Sequence, residues 1–160
     1  MNVRKIVMKN DLSLNLMHAE QEASKIIEKY GISSSEHIRL EDIAYDLGVT
    51  VLEETLKGAA ASLVKIGKYA TIRVSNDNFY EYRNRFSVSH ELGHFVLKHG
   101  ISIQRVCSDE DMMNWYKKSE ETEANFFAGE LILPKSLIEK RCDVAEVDFR
   151  SSVFIESRSR

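Results

Sequence analysis

Residues 86–100 read FSVSHELGHFVLKHG and hold three of the chain's five histidines. His90 and His94 are four residues apart, so on a helix they lie about 40° apart around the axis and one turn along it. Two imidazoles so placed reach one metal ion at the ~2.0–2.1 Å bond length that zinc prefers. Glu91, between them, is too short and wrongly aimed to be a third ligand beside them. It is placed to take the proton from a water that zinc has acidified, so that the oxygen attacks a carbonyl. HExxH therefore offers two ligands and a general base. The competing reading is an ordinary amphipathic helix. Leu92, Phe95, Val96 and His99 recur at i, i+3, i+4 and i+7, a stripe that packs on a core with or without metal. That stripe leaves out His90 and His94, whose own face also carries Phe86 and Leu97.

The third ligand has to come from elsewhere. His99 lies about half a turn away from His90 around the helix. The pattern HExxHxxGxxH would need glycine at 97 and histidine at 100, where Leu97 and Gly100 stand. The stretch SEETEANFFAGELILP (119–134) is the better source. Glu121, Ala124, Asn125 and Ala128 share one helical face, and the small alanines allow a close approach to the HExxH helix. That brings the Glu121 carboxylate beside His90 and His94, and Asn125 one turn on can accept the second ring N–H of a ligand histidine. Glu120 and Glu123 compete for the ligand role, but they point about 100° and 200° away from Glu121. They read as solvated carboxylates that support the N-terminal half of their helix. Three protein ligands with an open fourth position make a catalytic rather than a closed structural site, holding one zinc ion per chain.

Several elements must position these groups. From Leu16 to Tyr30, Ala19, Ala23, Ile26 and Ile27 predict a helix that stops at Gly31. Residues 1–15 before it read as irregular. HIRLEDIAYDLGV predicts a shorter helix with Leu40, Ile43, Ala44 and Leu47 on one face. VTVLEETL, AASLVKI and YATIRVS are rich in β-branched residues and separated by KG and GK turn signals; they predict three strands of an antiparallel meander. A helix follows to about His99, then an irregular stretch around ISIQRVCSDE, then a helix from about Met112 to Leu133, ended by Pro134. The tail 135–160 has room for one short helix. The expected class is α+β: N-terminal helices, a small three-stranded, mostly antiparallel sheet, and an HExxH helix packed on a later helix that carries the third ligand. All 160 residues form one metallopeptidase-sized domain.

Composition narrows the function classes. The chain is 43% apolar and 29% charged with a net charge of −3, so no basic surface points to direct contact with nucleic acid. No apolar run approaches the ~20 residues that cross a bilayer, and the N-terminus lacks the apolar stretch and cleavage site of a signal peptide. Cys107 and Cys142 have no CxxC spacing and read as free thiols of a reducing compartment. The expectation is a cytoplasmic protein without a membrane partner.

These residues resemble the ImmA/IrrE family of zinc metallopeptidases. The likeness runs from about Ala23 to Pro134: ASKIIEKYGI and LEDIAYDLGVTV resemble its N-terminal helix pair leading into a strand. RNRFSVSHELGHFVLKH and ETEANFFAGELILP match its two site motifs in order and interval. The resemblance implies His90, His94 and Glu121 as ligands and Glu91 as base. It also implies a protein substrate, typically a helix-turn-helix repressor of mobile elements, phage or stress genes. No fused helix-turn-helix module fits into residues 1–15, so the repressor would be a separate chain. The C-terminal extension common in relatives is shortened here.

Substrate strands usually add to a sheet edge in such enzymes, and GAAASLVKI is the candidate edge, with an ordinary meander strand as the equal alternative. Tyr116, Tyr82 and His99 are open candidates for stabilising the oxyanion. Arg83 and Arg85 read as structural, pairing with the acidic cluster. Two rivals to the endopeptidase stand: a zinc-dependent module that grasps a partner without cutting it, and a metal-free helical adaptor. Glu91 favours the enzyme, because a binding module needs no base there.

Overall fold

The helix α1 (Val3–Lys29) begins far earlier than its apolar stripe suggests. The computed structural model describes residues 3–34, 38–56, 60–66, 68–76, 81–100, 104–107 and 119–140. The irregular segment expected over 1–15 is thus helical from Val3. No proline or glycine precedes Gly31, so Asn10 and Asp11 interrupt the apolar pattern without interrupting the backbone. Further along, Ala19, Ala23, Ile26 and Ile27 are buried as expected. Gly31 ends the helix at φ 60°: its N–H reaches the Glu28 carbonyl, and that of Ile32 reaches Ile27, the paired bonds of a Schellman stop. Helix α2 (Leu40–Asp46) buries Leu40, Ile43 and Ala44.

The three expected strands form as β1 (Val49–Glu54), β2 (Ala61–Ile66) and β3 (Tyr69–Ser75). Their order is not a meander. β3 lies between β1 and β2, parallel to the first and antiparallel to the second. A fourth strand, β4 (Gln104–Cys107), pairs antiparallel with β2 over Ala61–Val64. It falls in the stretch expected to be irregular, where four residues are too few for alternation to declare a strand. The sheet order β1-β3-β2-β4 makes β2 an interior strand, so the edge role expected for GAAASLVKI is overturned and the outer strands are β1 and β4. Cross-strand rows Val51–Ile72–Leu63 and Val74–Ala61 put their apolar side chains on one face, with Leu63 and Ile72 fully buried.

Helix α3 (Glu81–Val96) packs on β2 and β3, burying Val88 and Leu92. Its first turns are tied down by two side chains. Asn84 donates to the Ser75 carbonyl at 2.8 Å and Arg85 to the Ile38 carbonyl at 2.9 Å. Arg85 is structural, as expected, but it bonds a backbone carbonyl, that of Ile38, where the acidic cluster was the expected partner. The helix stops at Val96, short of His99. Lys98 takes a left-handed φ of 56°, and the bonds Lys98 N–H to Phe95 O and His99 N–H to His94 O close a second Schellman stop.

Helix α4 (Ser119–Ile132) lies against both α3 and α1, with Ala124, Phe127, Ala128 and Leu131 fully buried. Residues 112–118, expected to start this helix, lie outside the described residues. Beyond Pro134 a short helical segment spans 135–140, which is the extra helix expected of the tail; 141–160 lie outside the described residues. Contact between α3 and α4 is tight at Gly93, where an added Cβ would stand 3.0 Å from Phe127 Cδ1 and 3.2 Å from both Ala124 Cα and its carbonyl oxygen. The alanines of α4 are half of that approach and the glycine of HELGH is the other half. Among the described residues no helix is long and apolar enough to cross a membrane.

Two outcomes follow for variants. Gly93→Ala gains about 1 kcal/mol of helix propensity but meets an overpacking cost of ~1–3 kcal/mol. Since Ala124 offers backbone rather than a flexible side chain, α4 must move. We expect weaker metal binding in a chelator competition even where the melting temperature falls little; unchanged affinity would contradict this packing. Lys98→Gly removes a left-handed penalty of roughly 1–2 kcal/mol, partly offset by glycine's freedom in the unfolded chain. Chemical denaturation should show a gain on the order of 0.5–1 kcal/mol, and a loss would contradict the left-handed turn.

Candidate metal centre

The HExxH half of the centre stands on α3 and the acidic half on the first turn of α4. His90 and His94 are fully buried and Glu121 is 4% exposed. The Nε2 atoms of the two histidines are 3.0 Å apart, and Glu121 Oε2 lies 3.2 Å from one and 3.4 Å from the other. A tetrahedral zinc with bonds of ~2.0–2.1 Å has ligand-to-ligand edges of roughly 3.3–3.4 Å. The triangle is therefore within a few tenths of an ångström of what one ion requires. These three form a metal-capable group among the described residues, which leaves the fourth position of a tetrahedron without a protein ligand.

Hydrogen bonds fix the ring tautomers consistently with this. His90 Nδ1 is 2.9 Å from Asn125 Oδ1. The amide oxygen accepts, so Nδ1 carries the proton and Nε2 keeps the lone pair that faces the triangle. Asn125 thus sits where its spacing from Glu121 predicts. The other ring is held by a residue that the spacing argument set aside. His94 Nδ1 is 2.8 Å from His99 Nδ1, and His99 Nε2 is 3.1 Å from Glu123 Oε2. His99 stands outside the triangle of donor atoms but touches one of its members, His94. It does so because the left-handed turn at Lys98 folds it back over His94, which an uninterrupted helix would not. Glu123, read as solvated, has a side chain only 13% exposed. Besides Ser119 of its own helix, its partners are Asn15 of α1 and His99 of the α3 stop, and neither of these two is revealed by its helical wheel.

Helix electrostatics suit a cation. His94 lies in the last turn of α3, near the partial negative charge of the helix end. Glu120 and Glu121 occupy the first turn of α4, where the partial positive end favours carboxylates. Glu91 adjoins His90 and is fully buried; Phe86 lies 6.2 Å from the His90 ring, centroid to centroid, and walls the same face. Of the oxyanion candidates, Tyr82 is 86% exposed and two helical turns before His90, too far to serve. His99 is engaged on both nitrogens, and Tyr116 lies outside the described residues.

A family profile described as the IrrE N-terminal-like domain, a peptidase family, matches residues 44–146. That span takes in the sheet and both helices of the metal centre. A search of curated proteins finds no match. With most of its length matched, the chain belongs to the peptidase family of the IrrE N-terminal-like domain.

Proposed function

We propose that the protein is a zinc-dependent endopeptidase that hydrolyses a peptide bond in a cytoplasmic regulatory protein, a separate helix-turn-helix repressor of a mobile element, phage or stress operon. The observation that carries the reading is the triangle of donor atoms with edges of 3.0, 3.2 and 3.4 Å, held in a chain of a peptidase family. The choice of repressor rests on the resemblance of the two site motifs, and the cytoplasmic location on composition.

His90, His94 and Glu121 would hold the ion. Zinc there supplies Lewis acidity, polarising the scissile carbonyl and lowering the pKa of water towards ~7. The protein's own groups divide the remaining work. Glu91 takes a proton from the attacking water and returns it to the leaving amine when the C–N bond breaks. Asn125 keeps Nε2 of His90 unprotonated and aimed at the ion. The packing of α3 on the sheet and of α4 on α3 places the three donors on supported helices rather than on loops, which limits the reordering that binding would cost.

Metal binding and cleavage separate by mutation. His94→Ala removes a donor and Glu121→Ala another, and each should lower zinc affinity by more than the ~10–100-fold that loss of an outer partner costs, read by chelator competition. Undiminished affinity in both would show that zinc binds elsewhere. Glu91→Gln should keep one zinc per chain by elemental analysis yet cut a co-encoded helix-turn-helix protein at least ~100-fold more slowly, followed by gel electrophoresis and mass spectrometry. Cleavage at the unmodified rate would remove Glu91 as the base. Zinc-dependent binding of the repressor without any cleavage by the unmodified protein would favour the regulatory binding module instead.

A further inference from the structure

Two ligand histidines on one helix are backed by different chemistry. Asn125 gives His90 a neutral amide oxygen. His94 meets a second imidazole and, through it, a carboxylate. We propose that His99 and Glu123 are positioning residues that fix the tautomer and orientation of His94 and make it the stronger donor of the pair. The proposal rests on the metal-site reading above.

Three features of the fold converge on that chain of groups. The left-handed turn at Lys98 (φ 56°) is adopted by a non-glycine residue, a conformation that costs about 1–2 kcal/mol. What it achieves locally is the return of residue 99 against residue 94. The His99 N–H bonds the His94 carbonyl at 3.1 Å, and the two rings meet edge to face with centroids 4.9 Å apart. Glu123 is anchored in turn. Its Oε1 accepts from Ser119 Oγ at 2.6 Å and from Asn15 Nδ2 of α1 at 3.2 Å, while Oε2 takes the His99 N–H. Burial completes the case: His99 is 7% exposed.

The protons along this chain have one arrangement compatible with a ligand at His94 Nε2. Nε2 keeps its lone pair, so Nδ1 carries the proton and donates to Nδ1 of His99. His99 therefore carries its own proton on Nε2 and donates to the Glu123 carboxylate. Negative charge at Glu123 polarises both N–H bonds in series and raises the electron density at the His94 ligand nitrogen. A neutral amide does this less well, and so the two histidines are unequal. Asn15 links the chain to α1, which makes that helix part of the support of the metal centre.

The test measures zinc affinity by chelator competition and the visible spectrum of the cobalt(II)-substituted protein, in the unmodified chain and in Glu123→Gln, His99→Phe and His99→Asn. Glu123→Gln keeps the size and one acceptor oxygen for His99, removes the charge, and puts an amide NH2 in place of the other oxygen. We expect it to weaken zinc binding by ~10–100-fold and to shift the cobalt bands. His99→Phe should weaken binding at least as much, whereas the Oδ1 of asparagine takes the place of Nδ1 and should restore part of the loss. Should His99→Phe fail to fold, Glu123→Gln and His99→Asn decide the matter. Zinc affinity and cobalt spectra equal to the unmodified protein in both would overturn the proposal while leaving the metal site standing. Absence of zinc binding in the unmodified chain would overturn the metal site itself and the proposal with it. A drop in the melting temperature of the metal-free variants with unaltered cobalt spectra would mark His99 and Glu123 as merely structural, which also contradicts it.

Discussion

The approach of α4 to α3 at Gly93 is the constraint on which the rest depends. Without a side chain at that position, the Ala124 backbone comes close enough for Glu121, one turn earlier on α4, to reach two histidines of α3. A helix that stood off by the width of a methyl group would keep every residue type of the site and lose its geometry. The same contact buries three polar side chains almost completely. Burying such groups is unfavourable unless they are satisfied, and two ring nitrogens with lone pairs turned on a carboxylate oxygen are poorly satisfied by one another. A cation at their centre removes that conflict. Metal binding there would couple to the stability of the α3–α4 pair.

The sheet and α1 act on the site through these two helices. β2 and β3 hold α3 from one side, and Asn84 and Arg85 set where the helix begins. α1 holds α4 from the other and sends Asn15 to Glu123. Each helix that carries a ligand thus has a neighbour that fixes it, and the site does not rely on loops for its donors. That is the arrangement expected where a metal must be bound at bond lengths defined to a few tenths of an ångström.

Much of the site was legible because its information is local. The four-residue spacing of His90 and His94, and the shared face of Glu121, Ala124 and Asn125, follow from the helical period alone. His99 was misjudged because the apolar stripe through Leu92, Phe95 and Val96 continues on paper to 99, whereas the backbone leaves the helix at Lys98. A lysine in the left-handed region announces nothing in sequence, since glycine is the usual sign. The burial of Glu123 is hidden for the related reason that two of its partners, Asn15 and His99, come from other elements. In the fold, the insertion of β3 between β1 and β2 was invisible because alternation reports a strand's faces and not its neighbours. The early start of α1 was hidden by Asn10 and Asp11, which break an apolar pattern but not a helix.

Metal coordination is the claim from which the peptidase reading and the role of His94's partners both descend. X-ray absorption at the zinc edge of the stoichiometrically loaded protein tests it most directly. The account expects a first shell of nitrogen and oxygen scatterers at ~2.0–2.1 Å, with multiple scattering from two imidazoles. A sulfur shell at ~2.3 Å would place the metal on Cys107 or Cys142, and would contradict it.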